Sequence, residues 1–425
     1  MHVHCIGIGG VGISALAQLY LHQGHTVSGT NDEVSPQTLD VLRAQGVSIG
    51  LEANVNNLPD DVDQFVYSDA WLSRAPAFME AVRALGRPTL SYFEALGEAT
   101  KEGTSIVVSG THGKTTTTAM LAKVLMDTGK EPTVICGSIM SEYGSNFVAG
   151  RPDLFVIEGC EYRRHFLHLH PSILVINNIE LDHTDYYRDL ADMQDAFSSV
   201  TDALPENGVL ITNTDSSTIK PILTGRATTT VPYQEVDVPQ LRTPGAFNKE
   251  NAAAAKAAAL AFDPDLSEEA IDISLASFNG TWRRFEYKGL TVHGAVVYDD
   301  YAHHPSAMRN TVEMVREFTD KQLVVVFHPH LYSRTTSFFD EFAEALALPD
   351  EALLLPIYAA REAPDPSVDS VALAVAVVKQ GGRAEALPDF DAVYERLKDR
   401  GDDTLILTMG AGDVYHVADR LVAGG

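Results

Sequence analysis

Residues Gly110-Thr111-His112-Gly113-Lys114-Thr115-Thr116 put two glycines, a lysine and a run of hydroxyls in the order that grips the phosphates of a nucleotide. Glycines let backbone N–H groups approach phosphate oxygens closely, and a helix that starts directly afterwards adds its own free amides. Lys114 would neutralise the β- and γ-phosphates, and the Thr115 hydroxyl would ligate Mg²⁺. The common phosphate loop has another glycine five residues before the second one, where this chain has Val108, so the loop is of a shorter and more restrictive form. The bland alternative is a glycine turn that happens to precede a helix. The phosphate reading predicts an ATP-using enzyme.

A second glycine turn, Gly7-Ile8-Gly9-Gly10-Val11-Gly12, fits the G-x-G-x-x-G spacing, and Asn31-Asp32 stand where a ribose partner would lie. Alone it suggests an NAD-dependent oxidoreductase, but any diphosphate fits such a cradle, and a turn that serves only packing is a further alternative. Glu158 closes the apolar run Leu154-Phe155-Val156-Ile157, which would set a carboxylate at the functional edge of a sheet, beside Thr115 and Mg²⁺. His183 follows another buried-type run and is flanked by Asp182 and Asp185.

These residues need strands that end at them and helices that begin after them. Val3–Ile8, Thr26–Thr30 and Gln64–Ser68 read as strands, and Ile13–His22 has helical spacing. Further along, Ser105–Ser109, Leu154–Glu158, Ile173–Asn177 and Gly208–Thr212 read as strands, Thr117–Thr128 as a helix, and Asn251–Ala261 as an alanine-rich helix. Beyond about Glu286, strands are expected at Val292–Tyr298, Gln322–Phe327, Ala352–Pro356 and Thr404–Thr408, separated by amphipathic helices. The pattern predicts three consecutive α/β domains over residues 1–100, 101–285 and 286–425: a Rossmann-like N-terminal domain, a central P-loop ATPase domain and a Rossmann-like C-terminal domain.

A length of 425 residues is too long for one ordinary domain, which agrees with that division. The formal charge of −27 argues against nonspecific binding to nucleic acid or to an anionic membrane surface. No apolar run approaches the ~20 residues that a membrane span needs. The opening Met1–Gly7 has no basic n-region or cleavage site, so a signal peptide is not expected. Cys5, Cys136 and Cys160 are scattered, as reduced structural thiols of a cytoplasmic protein would be.

The two glycine turns and a third α/β segment, in this order, resemble the Mur ligase family. The resemblance extends through Phe166–Pro171, Asn178–His183, Asn248–Asn251, Arg283-Arg284-Phe285, Asp299–Pro305, His328–Thr335, Tyr358–Pro364 and Met409–Asp413. It is nearest to the branch that joins L-alanine to UDP-N-acetylmuramate in peptidoglycan synthesis. The resemblance implies an ATP- and Mg²⁺-dependent ligase in which a lactoyl carboxylate is activated as an acyl phosphate and then attacked by an amine. The first domain would hold the UDP-sugar through Gly7, Gly9, Gly10 and Gly12, with Ser28, Thr30, Asn31 and Ser68 lining the pocket. The second would hold ATP through Gly110–Thr116, and Asn248 and Asn251 would reach adenine, with helix-start capping as the alternative.

The same resemblance gives Arg283, or its neighbour Arg284, a reach to the γ-phosphate and Asp300 the ribose. Thr115, Glu158 and His183 would ligate metal, and Tyr301, His303 and Arg334 would line the amino-acid site. Lys114, Glu158, His183 and Arg334 form the implied catalytic set. No lysine lies between Lys130 and Lys220, so the segment after His183 cannot supply the metal-bridging carbamylated lysine of several relatives.

The chain departs from the family at Glu158-Gly159-Cys160-Glu161-Tyr162-Arg163, where relatives read Glu-Ala-Asp-Glu-Ser-Asp, and at Leu331, where some carry arginine. The change at Leu331 leaves glycine or L-serine open beside L-alanine as acceptor, and those after Glu158 bear on contacts to the substrate there. The rival within the family is the recycling ligase that attaches a whole tripeptide, and the expected assembly is a monomer or homodimer.

Overall fold

The computed structural model describes residues 1–32, 36–226 and 228–424, without the side chains of Pro36 and Gln37. They divide into two units. One comprises Met1–Glu180, Ala191–Arg242 and Lys249–Asn279, and the other comprises Leu181–Leu190, Thr243–Asn248 and Gly280–Gly425.

The first unit holds two sheets. Strands β1 (His2–Ile6), β2 (Thr26–Thr30), β3 (Ser48–Gly50), β4 (Gln64–Tyr67) and β5 (Thr89–Ser91) pair in parallel in the order β3-β2-β1-β4-β5. The chain leaves β1 on one side and later returns on the other, so a crevice opens at the carboxyl end of β1, where the first glycine turn lies.

The second sheet is built from β6 (Thr104–Ser109), β7 (Pro132–Met140), β8 (Ser145–Val148), β9 (Arg151–Glu158), β10 (Ile173–Ile176), β11 (Val209–Thr212) and β12 (Thr229–Pro232). Its order is β12-β11-β10-β6-β9-β7-β8, and β8 runs antiparallel to β7. Strands β6, β9 and β10 are central and covered on both faces, which is why Ile106–Val108, Val156-Ile157 and Leu174–Ile176 are unbroken apolar runs with no exposed surface. The helix Lys114–Asp127 packs on this sheet, and Ala119–Ala122, Val124 and Leu125 are buried with alanines 252–255 and 257–259 of the helix Ala246–Phe262. Alanine at so many inward positions lets that helix lie close to its neighbours.

In the second unit β13 (Glu286–Leu290), β14 (Val296–Asp300), β15 (Gln322–Phe327), β16 (Glu351–Leu354), β17 (Ala384–Ala386) and β18 (Thr404–Met409) pair in the order β13-β14-β18-β15-β16-β17. Only β13 is antiparallel to its neighbour.

The α/β fold class read from the sequence is the one observed. Among the details that differ, three have a clear local cause or bear on the site. The strand expected at Val292–Tyr298 begins at Val296, because Gly294 (φ +89°) turns the chain and Val292 is left 74% exposed. The helix expected from Thr117 starts at Lys114, since Gly113 at φ +78° lets the chain enter it directly. The alanine-rich helix starts at Ala246 rather than Asn251, so neither Asn248 nor Asn251 stands at an N-cap. Among the described residues no helix is long and apolar enough to cross a membrane.

Candidate active site

The phosphate loop connects the end of β6 to the helix Lys114–Asp127, and its glycines are required by close backbone approaches. Gly110 has φ +132°, and a Cβ there would lie 3.0 Å from the Asn178 carbonyl; a Cβ on Gly113 would overlap the Asn251 side chain. Asn178 and Glu180, after β10, brace the loop from the side. The His112 amide donates to Asn178 Oδ1 at 2.8 Å, and the Thr111 hydroxyl donates to the Glu180 carbonyl at 2.8 Å. His112 Nε2 lies 2.8 Å from Glu180 Oε2. Asn251 accepts from the Thr117 hydroxyl at 3.2 Å, and Asn177 donates to the same hydroxyl at 3.0 Å.

Lys114 Nζ donates to the carbonyls of Gly110 (2.6 Å) and Thr111 (3.1 Å) and to Glu161 Oε1 (2.9 Å). The Glu161 side chain is 1% exposed. Burial is the largest single influence and would lower the pKa of this ammonium, but Glu161, Cys160 and Glu158 together outweigh it and the pKa is raised. Thr115 Oγ1 donates to Glu158 Oε1 at 2.9 Å, and Glu158 Oε2 accepts the Gly137 amide at 2.6 Å. A hydroxyl from the first turn of the helix Lys114–Asp127 and a carboxylate at the end of β9 form the hard-oxygen donor set that Mg²⁺ prefers, so these residues fit that ion.

The first glycine turn is equally tight. Gly7 has φ +79°, and a Cβ there would strike the Trp71 indole; a Cβ on Gly12 would lie 3.0 Å from the Tyr92 ring. The Gly9 amide donates to Asn31 Oδ1 at 3.2 Å, and Gly10 stands at the start of the helix Val11–His22. Ser68 closes β4 with its amide on the Ile6 carbonyl. The hydroxyls of Ser28 and Thr30 face inward, at 2.8 and 2.9 Å from the two ring nitrogens of buried His4. The structure therefore places these two side chains within the sheet's own packing.

Within the second unit, Arg334, Tyr301, His303, Arg283, Asp300 and His183 are all present, and the hub is a residue that sequence reasoning treated only as a flank. Asp182 is buried and accepts from Arg334 Nε at 2.9 Å; Arg334 also reaches His330 Nδ1 at 3.2 Å. Burial would push the Asp182 carboxyl up, but Arg334 first, then His183, His303 and His304, holds it well below the usual range. His303, half-buried beside Arg334, is held well below the usual histidine range, by desolvation first and then by the Arg334 charge. His183 has φ +51°, and its amide donates to Asp182 Oδ1 at 2.6 Å.

Arg283 is fixed by three bonds, to Asp299 Oδ2 (2.7 Å) and to the carbonyls of Gly412 (2.8 Å) and Gly410 (2.7 Å), whereas Arg284 lies over the Tyr301 ring. Asp300 accepts the Ala302 amide at 2.7 Å, and burial raises its carboxyl to about 6. Asn248 Nδ2 donates to the Pro244 carbonyl at 2.7 Å. Leu331 is buried at φ +72°, its amide on the Tyr358 carbonyl.

Three residues escaped the sequence reading as contributors in their own right: Glu161, Asp182 and Tyr92. The signal for the first two was a lone acidic residue next to a motif's basic partner, which spacing cannot distinguish from a solvated acid.

Family models match almost the whole chain in succession. They are those of the Mur ligase family catalytic domain at residues 2–104, the Mur ligase middle domain at 108–234 and the Mur ligase glutamate ligase domain at 283–412. A UDP-N-acetylmuramate–L-alanine ligase of Lachnospira eligens is 35% identical, covering 99% of this chain and 98% of its own. The solved UDP-N-acetylmuramate-alanine ligase of Thermotoga maritima superposes with a TM-score of 0.81 at 26% identity, covering 100% of this chain and 98% of its own. A murein peptide ligase of Psychrobacter arcticus has the same fold, with a TM-score of 0.73 at 22% identity over 100% of this chain and 98% of its own. Both glycine turns thus fall inside matched domains, along with the strand ends that carry Glu158 and Asp300, and the chain belongs to the Mur ligase family.

Proposed function

We propose that the protein joins L-alanine to the lactoyl carboxylate of UDP-N-acetylmuramate at the expense of ATP, as a step of peptidoglycan synthesis in the cytoplasm. The observation that carries this reading is the arrangement at the ends of β6 and β9, where Lys114, Thr115 and Glu158 converge on the phosphate loop. The full-length likeness to proteins named UDP-N-acetylmuramate–L-alanine ligase supports the choice of substrates. Residues 1–100 would bind the UDP-sugar, 101–285 ATP and 286–425 the amino acid.

The lactoyl carboxylate attacks the γ-phosphorus, the bond to the β-phosphate oxygen breaks, and ADP leaves. The amine of L-alanine then attacks the acyl phosphate, loses a proton, and inorganic phosphate departs. Charge accumulates on phosphoryl oxygens in the first step, so cations and oriented amides serve better than a protein nucleophile. Lys114 and the amides of Gly110–Thr116 supply them. Thr115 and Glu158, with His183, would hold Mg²⁺, which neutralises phosphate charge when bound. Asn248 and Asn251 would contact adenine and Asp300 the ribose, and Arg283 or its neighbour Arg284 would reach the γ-phosphate. Asp182 would orient Arg334, and Tyr301, His303 and Arg334 would receive the amino acid.

The test is phosphate release from MgATP with UDP-N-acetylmuramate and, separately, L-alanine, glycine, L-serine and the L-alanyl-γ-D-glutamyl-diaminopimelate tripeptide. Release that requires the sugar nucleotide and is greatest with L-alanine is expected. Greatest release with the tripeptide would move the protein to the recycling branch, and no release with any acceptor would defeat the ligase reading.

A further inference from the structure

The stretch Glu161 to His165, in which Tyr162 and Arg163 depart from the family pattern, links the two glycine turns inside one unit. At one end Glu161 is buried against Lys114 of the phosphate loop, 2.8 Å away. At the other, His165 Nε2 lies 2.9 Å from Asp69 Oδ2, next to Ser68 at the end of β4. The His165 ring stacks on Phe93 with centroids 4.7 Å apart and meets Tyr162 edge-on. Phe93 follows Tyr92, whose ring covers Gly12 of the first turn; burial and the charge of Glu158 raise its phenol pKa.

Between the anchors the backbone is strained. Arg163 and Arg164 are consecutive left-handed residues, φ +51° and +59°, and neither is glycine. Such strain persists only where surrounding contacts over-determine it. Arg164 has that support in Asp192 (2.8 Å) and Asp195 (2.9 Å). Arg163 is exposed, its guanidinium 5.4 Å from the centre of the Tyr162 ring, and among the described residues no carboxylate lies within ion-pair distance of it. Its charge still reaches Asp69, whose carboxyl is held below the usual range by the His165 hydrogen bond first and by His165, Arg163 and His168 electrostatically. A cation is thus presented on an aromatic face, between the residues that neighbour the sugar-nucleotide turn and those that neighbour Lys114.

On the reading given under Proposed function, we infer that Arg163, seated on Tyr162, is a specificity-determining residue that receives the lactoyl carboxylate of the sugar nucleotide. A planar guanidinium binds a carboxylate through two parallel N–H donors, and the aromatic ring beneath keeps the fork in one plane.

The experiment measures binding by titration calorimetry of UDP-N-acetylmuramate and of UDP-N-acetylglucosamine, which lacks the lactoyl group. The proteins are the wild type, Arg163→Asn and Arg163→Lys. Asparagine tolerates the left-handed backbone, and thermal melting verifies that each variant is folded. Arg163→Asn is expected to weaken UDP-N-acetylmuramate at least about tenfold, leave UDP-N-acetylglucosamine within about twofold, and have its loss partly restored in Arg163→Lys. Unchanged binding of both nucleotides by Arg163→Asn, or an equal loss of both, overturns the inference. A wild type that binds neither nucleotide overturns the functional reading itself, which is a separate result from a failure confined to the variants.

Discussion

Lys114 has all three of its ammonium protons engaged, two by loop carbonyls and one by Glu161. Replacement by alanine removes the cation but none of the contacts of the first glycine turn. Turnover of Lys114→Ala should fall by about 10²–10³ or more, while UDP-N-acetylmuramate binds with nearly wild-type affinity. Phosphate release and calorimetry check the two halves, and wild-type turnover would remove the loop from the mechanism. Asp182 is the counterpart in the other unit. Asp182→Asn leaves the Arg334 guanidinium, 3% exposed, without its carboxylate. A buried charge stripped of its partner costs about 3–5 kcal/mol. Urea unfolding followed by tryptophan fluorescence and circular dichroism should register that loss; a change below about 1 kcal/mol would mean that water reaches the pair.

At the scale of elements, the helix Tyr92–Thr100 is tied to the first glycine turn and to the segment Tyr162–His168. It begins with a reciprocal cap, the Ser91 hydroxyl accepting the Glu94 amide while the Glu94 carboxylate accepts the Ser91 amide. Its inward face carries Gly97, where an added Cβ would overlap the His168 carbonyl of the segment Tyr162–His168. Backbone cannot yield as a flexible side chain can. Gly97→Ala should therefore destabilise by about 1–3 kcal/mol in spite of alanine's better helix propensity. It should also weaken sugar-nucleotide binding by moving Phe93 and His165 apart. A variant more stable than wild type in thermal melting would show that the helix and that segment are not in backbone contact.

At the scale of the whole chain, buried neutral histidines set the response to acid. His4 and His328 are lowered to about 4 and His330 to about 3, in each case by burial first, with nearby cations adding to it. Their ordinary value is near 6.5, so each contributes stability that is complete above that pH and is lost as pH falls toward its folded value. Asp300, raised to about 6, works the other way: its contribution is present below about 4 and is lost as pH rises through 6. At roughly 1.4 kcal/mol for each pH unit and each group, three histidines outweigh one carboxyl. The urea midpoint should fall between pH 7 and pH 4.5, and His4→Asn should flatten that fall; a midpoint that rises on acidification would contradict it. The net charge of −27 predicts a second response. Screening of self-repulsion should raise the melting temperature between about 0.01 and 0.5 M NaCl, where the Debye length shrinks from ~30 Å to a few Å. A falling melting temperature would mean that surface ion pairs dominate instead.

The sequence alone determined the elements whose chemistry is local. The apolar runs Ile106–Val108, Leu174–Ile176 and Leu323–Phe327 must be buried on both faces of a sheet, and the glycines of both turns need open backbone, so the α/β class and the phosphate loop were legible. Short edge strands such as Ser145–Val148 and Ala384–Ala386 were not, because three or four residues carry too little pattern. The start of β14 was misplaced because valine at 292 looks like strand, while Gly294 decides where the chain turns. Partnerships between distant residues were beyond sequence for a plainer reason. Asp182 with Arg334 and Glu161 with Lys114 are separated by 152 and 47 positions, and a buried ion pair has no periodicity to announce it. Only the tertiary structure, by removing water from both members at once, made each of those acids a partner rather than a surface charge.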